Sequence, residues 1–175
     1  MLVLTGSSAR ESIAQASSDE KQRECLSQIN QRAAALSASD WQQLQRLAKR
    51  YIDTCKAIYG SEDLATAHGD VAIANLRLDN ATAALSAAES CIALFYSNSG
   101  CHLGKVEAML KLGRIPEART ALNIAEKLVA HLAAAAEREL QRANHPSERE
   151  LYAAKLNLLR AQESVVEGLR RSLSP

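Results

Sequence analysis

Two stretches of this chain, residues 71–85 and 105–119, match each other at a fixed spacing of about 34 residues. A fixed period of this length is typical of arrays of helical hairpins, in which each unit buries its apolar face only against its neighbours. The repeat therefore predicts a stack of paired helices that presents a binding surface. The matched positions are Ala74 and Ala108, Leu76 and Leu110, Leu78 and Leu112, Ala84 and Ala118, Ala88 and Leu122, and Cys91 and Ala125.

The composition points to the same fold class. Apolar residues make up 47% of the 175 residues, but aromatic residues only 3%, with 7 Gly and 3 Pro. A sheet protein needs more turn residues and more β-branched or aromatic side chains. Ala and Leu, which dominate here, are strong helix formers. We therefore expect an all-α protein built from antiparallel helical hairpins stacked as a solenoid.

Local signals divide the chain into about seven helices. Capping signals predict the starts of the first, second and last helices. In each signal a Ser side chain lies three positions before a Glu or Gln, and the three signals are residues 17–20, 39–42 and 147–150. No composition shift marks a boundary inside the chain. We expect a flexible N-terminus over 1–16 and a single helical domain over 17–175.

Two glycines and one long uninterrupted pattern predict the ends of other helices. Gly60 is expected to end the second helix as a left-handed cap, and Gly113 to end the fifth. The sixth helix has no stop signal before Asn144, so it should span about 28 residues, roughly 42 Å.

The last helix carries apolar residues at seven-residue spacing, and two interpretations of them stay open. One is an intramolecular hairpin with the long sixth helix. The other is a protruding helical pair that docks on a second chain, either another copy or a larger subunit. The two heptad series are Leu151, Leu158 and Val165, and Leu159, Val166 and Leu173.

Charge and cysteine usage limit the partners and the compartment. Lys plus Arg is 21 and Asp plus Glu is 20, and no segment carries the positive excess that nucleic-acid binding requires. The four cysteines form no CxxC pair, so we expect buried free thiols rather than redox or metal sites. Free thiols suit a reducing compartment, and no apolar run is long enough for a membrane span. We expect a cytoplasmic protein without nucleic-acid or membrane partners.

The segment around the second repeat resembles the tetratricopeptide repeat. That family's helix pair, about 34 residues long, has small residues where the helices cross, a Gly before the turn, and Glu-Ala opening the second helix. Here residues 107–118 carry Ala108, Gly113, Glu117 and Ala118 at those places. The resemblance extends from Leu64 to about Val129.

The resemblance implies a function in binding proteins. In the family, the first helix of each pair lines a concave groove that holds a partner segment. We therefore expect a protein-interaction adaptor or scaffold subunit of a multiprotein complex, with self-association as one version. The implied partner-binding residues are Asp70, Ile73, Arg77, Leu103, Glu107 and Lys111.

Other functional classes have weaker support in the sequence. A small-molecule- or peptide-sensing helical regulator, with its ligand in the groove, is the alternative. No nucleophile motif, phosphate-binding loop or histidine pair of metal-site spacing occurs. We therefore expect no catalytic residues, no metal and no cofactor, and hence no enzyme.

Overall fold

A computed structural model describes the backbone of residues 7–174 and the side chains of residues 18–174. This part of the chain forms seven α-helices and no strand, which confirms the all-α class. The helices are α1 (Ser7–Ser37), α2 (Trp41–Cys55), α3 (Ser61–Arg77), α4 (Ala81–Leu94), α5 (Ser99–Lys111), α6 (Ile115–Arg142) and α7 (Pro146–Leu173).

Each helix packs against the next one along the chain. The connections between helices are short, so successive helices reverse direction. In addition, α3 packs on α5 and α5 packs on α7. These odd-numbered helices therefore form one layer, and α4 and α6 each pack against two successive members of it.

Three of the turns between helices have the same backbone structure. Ser39, Asp79 and Gly113 adopt positive φ values of 55°, 61° and 70°. The residue after each donates its backbone N–H to a carbonyl five positions earlier, as Asp40 does to Ala35. The turns after α3 and α5 stand one sequence repeat apart, whereas the turn after α1 lies slightly farther from the turn after α3. α1 and α2 thus form a pair of the same kind, although their sequence does not match at the repeat spacing.

Small side chains fill the contacts within the pairs. Ala84 in α4 and Ala118 in α6 are fully buried, as the repeat register predicts. Leu44 takes the equivalent place in α2, four residues after the turn, and is also fully buried. Because an Ala side chain occupies little volume, the two helices within each of the pairs α3–α4 and α5–α6 can approach closely.

Several predicted helix ends differ from the structure. α1 already includes residues 17–20, so the predicted helix start there is wrong. Residues 1–6 of the expected flexible N-terminus lie outside the described residues. Gly60 does not end α2: it precedes α3, with a φ of −74°. α7 starts at Pro146, one position before the first residue of the predicted capping signal. Gly113 and the 28-residue length of α6 are confirmed.

The expectation of free thiols is wrong, because all four cysteines form disulfides. Cys25 in α1 pairs with Cys55 at the end of α2, and Cys91 in α4 pairs with Cys101 in α5. Taken one at a time, the cysteines look like separate buried residues, because no short motif joins them. The antiparallel packing of neighbouring helices brings pairs together that are 30 and 10 residues apart in sequence.

Candidate functional site

The predicted groove residues lie in the odd-numbered layer, but Asp70 is already occupied by another part of the chain. Its Oδ2 accepts hydrogen bonds from Nε and Nη2 of Arg32 in α1, at 2.8 and 2.5 Å. The two side chains are only 7% and 13% exposed. The guanidinium of Arg32 also stacks on the ring of Tyr51, 4.7 Å from its centroid. Asp70 thus joins α1 to α3 and offers little surface to a partner.

Burial and pairing act in opposite directions on the Asp70 carboxyl. Burial raises its pKa above the ordinary value, whereas the charge of Arg32 and its hydrogen bonds lower the pKa, with a net upward shift. A buried carboxyl next to a bound guanidinium is the arrangement of a structural ion pair. It leaves no free acid or base facing solvent at this position.

Three other predicted residues lie along one edge where α3 meets α5. Arg77 donates to Glu107 at 3.1 Å, and Lys111 donates to Asp79 at 2.7 Å. These two ion pairs are consistent with the prediction that equivalent faces of α3 and α5 point the same way. Glu107 is the least exposed of the four side chains, at 32%, so all of them remain accessible from solvent. This edge is mixed in charge and internally neutralised.

Leu103 and Ile73 complete the predicted set and have different surroundings. Leu103 is only 7% exposed and belongs to the core cluster that includes Val166 and Leu173 of α7. Leu103 is therefore part of the core and offers little surface to a partner. Ile73 is half-buried on α3.

Two grooves that were not predicted from the sequence lie on the opposite side, between α2 and α4 and between α4 and α6. Their volumes are about 410 and 360 Å³. Seven lining positions of the first recur one sequence repeat later in the second, and His68 and His102 are one such pair. The second groove is more apolar, because Met109 and Ile124 stand where the first has Asn75 and Ser90.

The surroundings of the two groove histidines favour the neutral form of each ring. Burial lowers the pKa of both His68 and His102. For His102 the positive charge of Lys105 acts in the same direction, and the hydrogen bond to the Tyr96 carbonyl opposes it. The His102 Nε2 lies 2.8 Å from that carbonyl oxygen, and its ring meets the Tyr96 ring edge-on. These contacts give His102 a structural role at the rim of the groove.

The second half of α6 and the first half of α7 project beyond the rest of the stack. A separate core cluster joins Ala133 and Ala136 of α6 to Leu156 and Leu159 of α7, with no contribution from other helices. α5 contacts α7 at Gln162, whose Oε1 accepts a hydrogen bond from Ser99. We call this pair of half-helices the projecting hairpin, residues 130–142 and 146–161. The predicted hairpin between α6 and α7 is thus present.

One apolar side of α7 is uncovered, both within the projecting hairpin and in the turns that follow it. Leu151, Leu158 and Val165 are 64%, 60% and 47% exposed, whereas Leu159, Val166 and Leu173 are at most 6% exposed. Heptad spacing alone did not separate these two series. The small residues between the exposed ones were not predicted as part of the surface, although their seven-residue spacing is visible in the sequence. We call the complete stripe the α7 seam: Leu151, Ala154, Leu158, Ala161, Val165 and Gly168.

Searches of the described residues for a metal-ligand cluster and for a membrane-spanning helix are both negative. That part of the chain contains no group of three or more His, Cys, Asp or Glu side chains placed to hold a metal ion. None of the described helices combines the length and apolar character needed to cross a bilayer.

Comparison with protein-family models, with curated proteins and with solved structures finds no match to this chain.

Proposed function

We propose that this chain is a non-enzymatic protein-interaction module that binds another protein chain through the projecting hairpin. The observation that carries this proposal is the exposure of Leu151 and Leu158, at 64% and 60%, on a helix whose opposite side is fully packed. Single exposed apolar residues are ordinary, but an aligned row of them on a projecting element is typical of a docking surface.

The hairpin replaces the concave groove as the principal surface in this proposal. Leu103 is buried, Asp70 is half-buried in its ion pair with Arg32, and the three remaining charged residues also form ion pairs within the chain: Arg77, Glu107 and Lys111. A partner would have to break those contacts before binding there. The α7 seam has no such competitor in the described part of the chain. The tetratricopeptide resemblance supports a scaffold role of this general kind and stays a prediction.

The proposed compartment also changes. The prediction of a cytoplasmic location depends on free thiols, and the two disulfides remove that basis. Disulfides form and persist in oxidising compartments. We therefore propose that the chain works in an oxidising environment and that its scaffold role does not depend on free thiols.

Site-specific photo-cross-linking tests the docking surface. A photoreactive phenylalanine analogue replaces Leu158, and the matched control places it at Leu26 of α1, which is 48% exposed on another helix. We expect protein adducts from position 158 in the native extract and few from position 26. Equal yields at both positions, or no adducts at either, would refute the proposal.

The groove between α4 and α6 favours one second candidate, a small-molecule-sensing regulator. Its volume of about 360 Å³ falls within the range of ligand pockets, and its lining includes Ile92, Met109 and Ile124. Native mass spectrometry of the chain purified from its own extract distinguishes the two functions. A bound small molecule that is lost in the Ile124→Glu variant would support the regulator, and adducts at Leu158 the module.

A further inference from the structure

The α7 seam alternates large and small residues along five helical turns. Leu151, Leu158 and Val165 repeat every seven residues, and a small residue stands three positions after each of them. A side chain added at Gly168 would meet nothing within 4 Å in the chain itself. The small residue there is therefore not required by packing inside the chain. A heptad row of this kind is the pattern that one helix presents to another.

We propose that the occupant of the α7 seam is the α7 seam of a second copy of this chain, running antiparallel. This inference rests on the proposed function, since it names the partner of the same surface. In the antiparallel register every layer joins a large residue to a small one, which keeps the packing even. The layers are Leu151 with Gly168, Ala154 with Val165, and Leu158 with Ala161, each formed twice by the two-fold symmetry.

A parallel pair would pack these residues badly. It would set Leu158 against Leu158 and Gly168 against Gly168, so that overfilled layers alternate with empty ones. Voids and overpacked contacts both destabilise an interface. The size pattern along the seam therefore selects the antiparallel direction.

The charges that flank the seam fit the same register. Glu150 lies beside the seam in the first turns of α7, and Arg171 lies beside it in the last turn. The antiparallel register brings Glu150 of each copy next to Arg171 of the other. Both residues are exposed, and neither forms a salt bridge with the described residues of its own chain. On the other flank Lys155 of each copy faces Gln162 of the other, so no like charges meet.

The mass of the full-length chain in solution tests the second copy. We expect light scattering to give twice the chain mass of 18.9 kDa for the natural chain and the single-chain mass for Leu158→Glu. Leu26→Glu, the matched control on α1, keeps the doubled mass. Circular dichroism verifies that both variants stay folded, as expected for positions that are 60% and 48% exposed.

Charge reversal tests the register independently. Glu150→Arg and Arg171→Glu each place like charges opposite one another in two symmetric places, and each should weaken self-association about tenfold. An equimolar mixture of the two variants restores complementary charges at both flank pairs of each heterodimer, so mixing should recover much of the lost association. Weakened association that mixing does not restore at all would refute this register.

Cross-linking of introduced thiols tests the direction. Because the four natural cysteines are paired, Ala154→Cys and Val165→Cys each supply a single free thiol. A short bis-maleimide should link the two variants when mixed and neither one alone, since the two copies of position 154 lie about 16 Å apart along the antiparallel axis. Linkage of Ala154→Cys to itself would show a parallel pair and overturn the proposal.

Failure of this inference can be told apart from failure of the proposed function. A chain that remains at 18.9 kDa at all concentrations, yet gives adducts with other proteins at Leu158, refutes the second copy and keeps the interaction module. A monomer without adducts refutes both.

Discussion

At the scale of single residues, alanine at the crossing of paired helices limits what can replace it. Ala84 and Ala118 have no exposed surface. A leucine at either position must displace neighbouring side chains or the facing helix, which typically costs about 1–3 kcal/mol. We expect Ala84→Leu and Ala118→Leu each to lower the free energy of unfolding by that amount in urea titrations. Ala34→Leu, on the exposed side of α1, is the control with no expected loss. Unchanged stability in both buried variants would contradict the close contact.

The lowered pKa values of His68 and His102 predict that stability depends on pH. Burial lowers the pKa of His102 and His68 below the ordinary value of 6.5, so the unfolded chain binds protons at a higher pH than the folded one. Their contribution is fully present above about pH 6.5 and is lost as the pH falls toward the lowered folded values. We expect the free energy of unfolding to decrease from about pH 7.5 to pH 5.5, and the double variant His68→Gln with His102→Gln to decrease less. Parallel pH profiles of the two proteins would contradict this assignment.

At the scale of helices, the two disulfides should contribute unequally to stability. The bond from Cys25 to Cys55 closes a span of 30 residues, and the bond from Cys91 to Cys101 a span of 10. The loop-entropy model gives about 4 kcal/mol for the first and about 3 kcal/mol for the second. We expect reduction of the natural chain to lower the melting temperature, and replacement of the first pair by Ala to do so more than replacement of the second. Equal melting temperatures of the reduced and the oxidised protein would show that the disulfides contribute nothing to stability.

At the scale of the whole molecule, the two candidate surfaces can be separated by charge reversal. The pairs Arg77–Glu107 and Lys111–Asp79 are exposed, and each such pair contributes about 1 kcal/mol or less. We expect Arg77→Glu with Lys111→Glu to change the melting temperature little and to leave the adducts at Leu158 intact. A strong loss of adducts in this folded variant would place the partner on the odd-numbered layer, as predicted from the sequence.

Features set by neighbouring residues were visible in the sequence alone. The helix-forming composition and the internal repeat determined the all-α class, the buried Ala84 and Ala118, and the end of α5 at Gly113. These features follow from periodicity and turn chemistry within a few residues, which operate before distant segments meet. The same reasoning failed at residues 17–20, because a capping pattern inside a longer helix-forming segment need not interrupt it.

The surface that remains free depends on contacts between distant segments. Arg32 binds Asp70 from 38 residues away, and Leu103 shares a core cluster with Val166 and Leu173 near the far end of the sequence. The pairing of the cysteines and the separation of the exposed Leu158 from the buried Leu159 have the same origin. Heptad spacing shows that two faces of α7 are apolar, but only the packing of α5 and α6 decides which one is covered. Local patterns thus account for the all-α class and for the pairs α3–α4 and α5–α6, whereas contacts between distant segments select the apolar face that stays open to a partner.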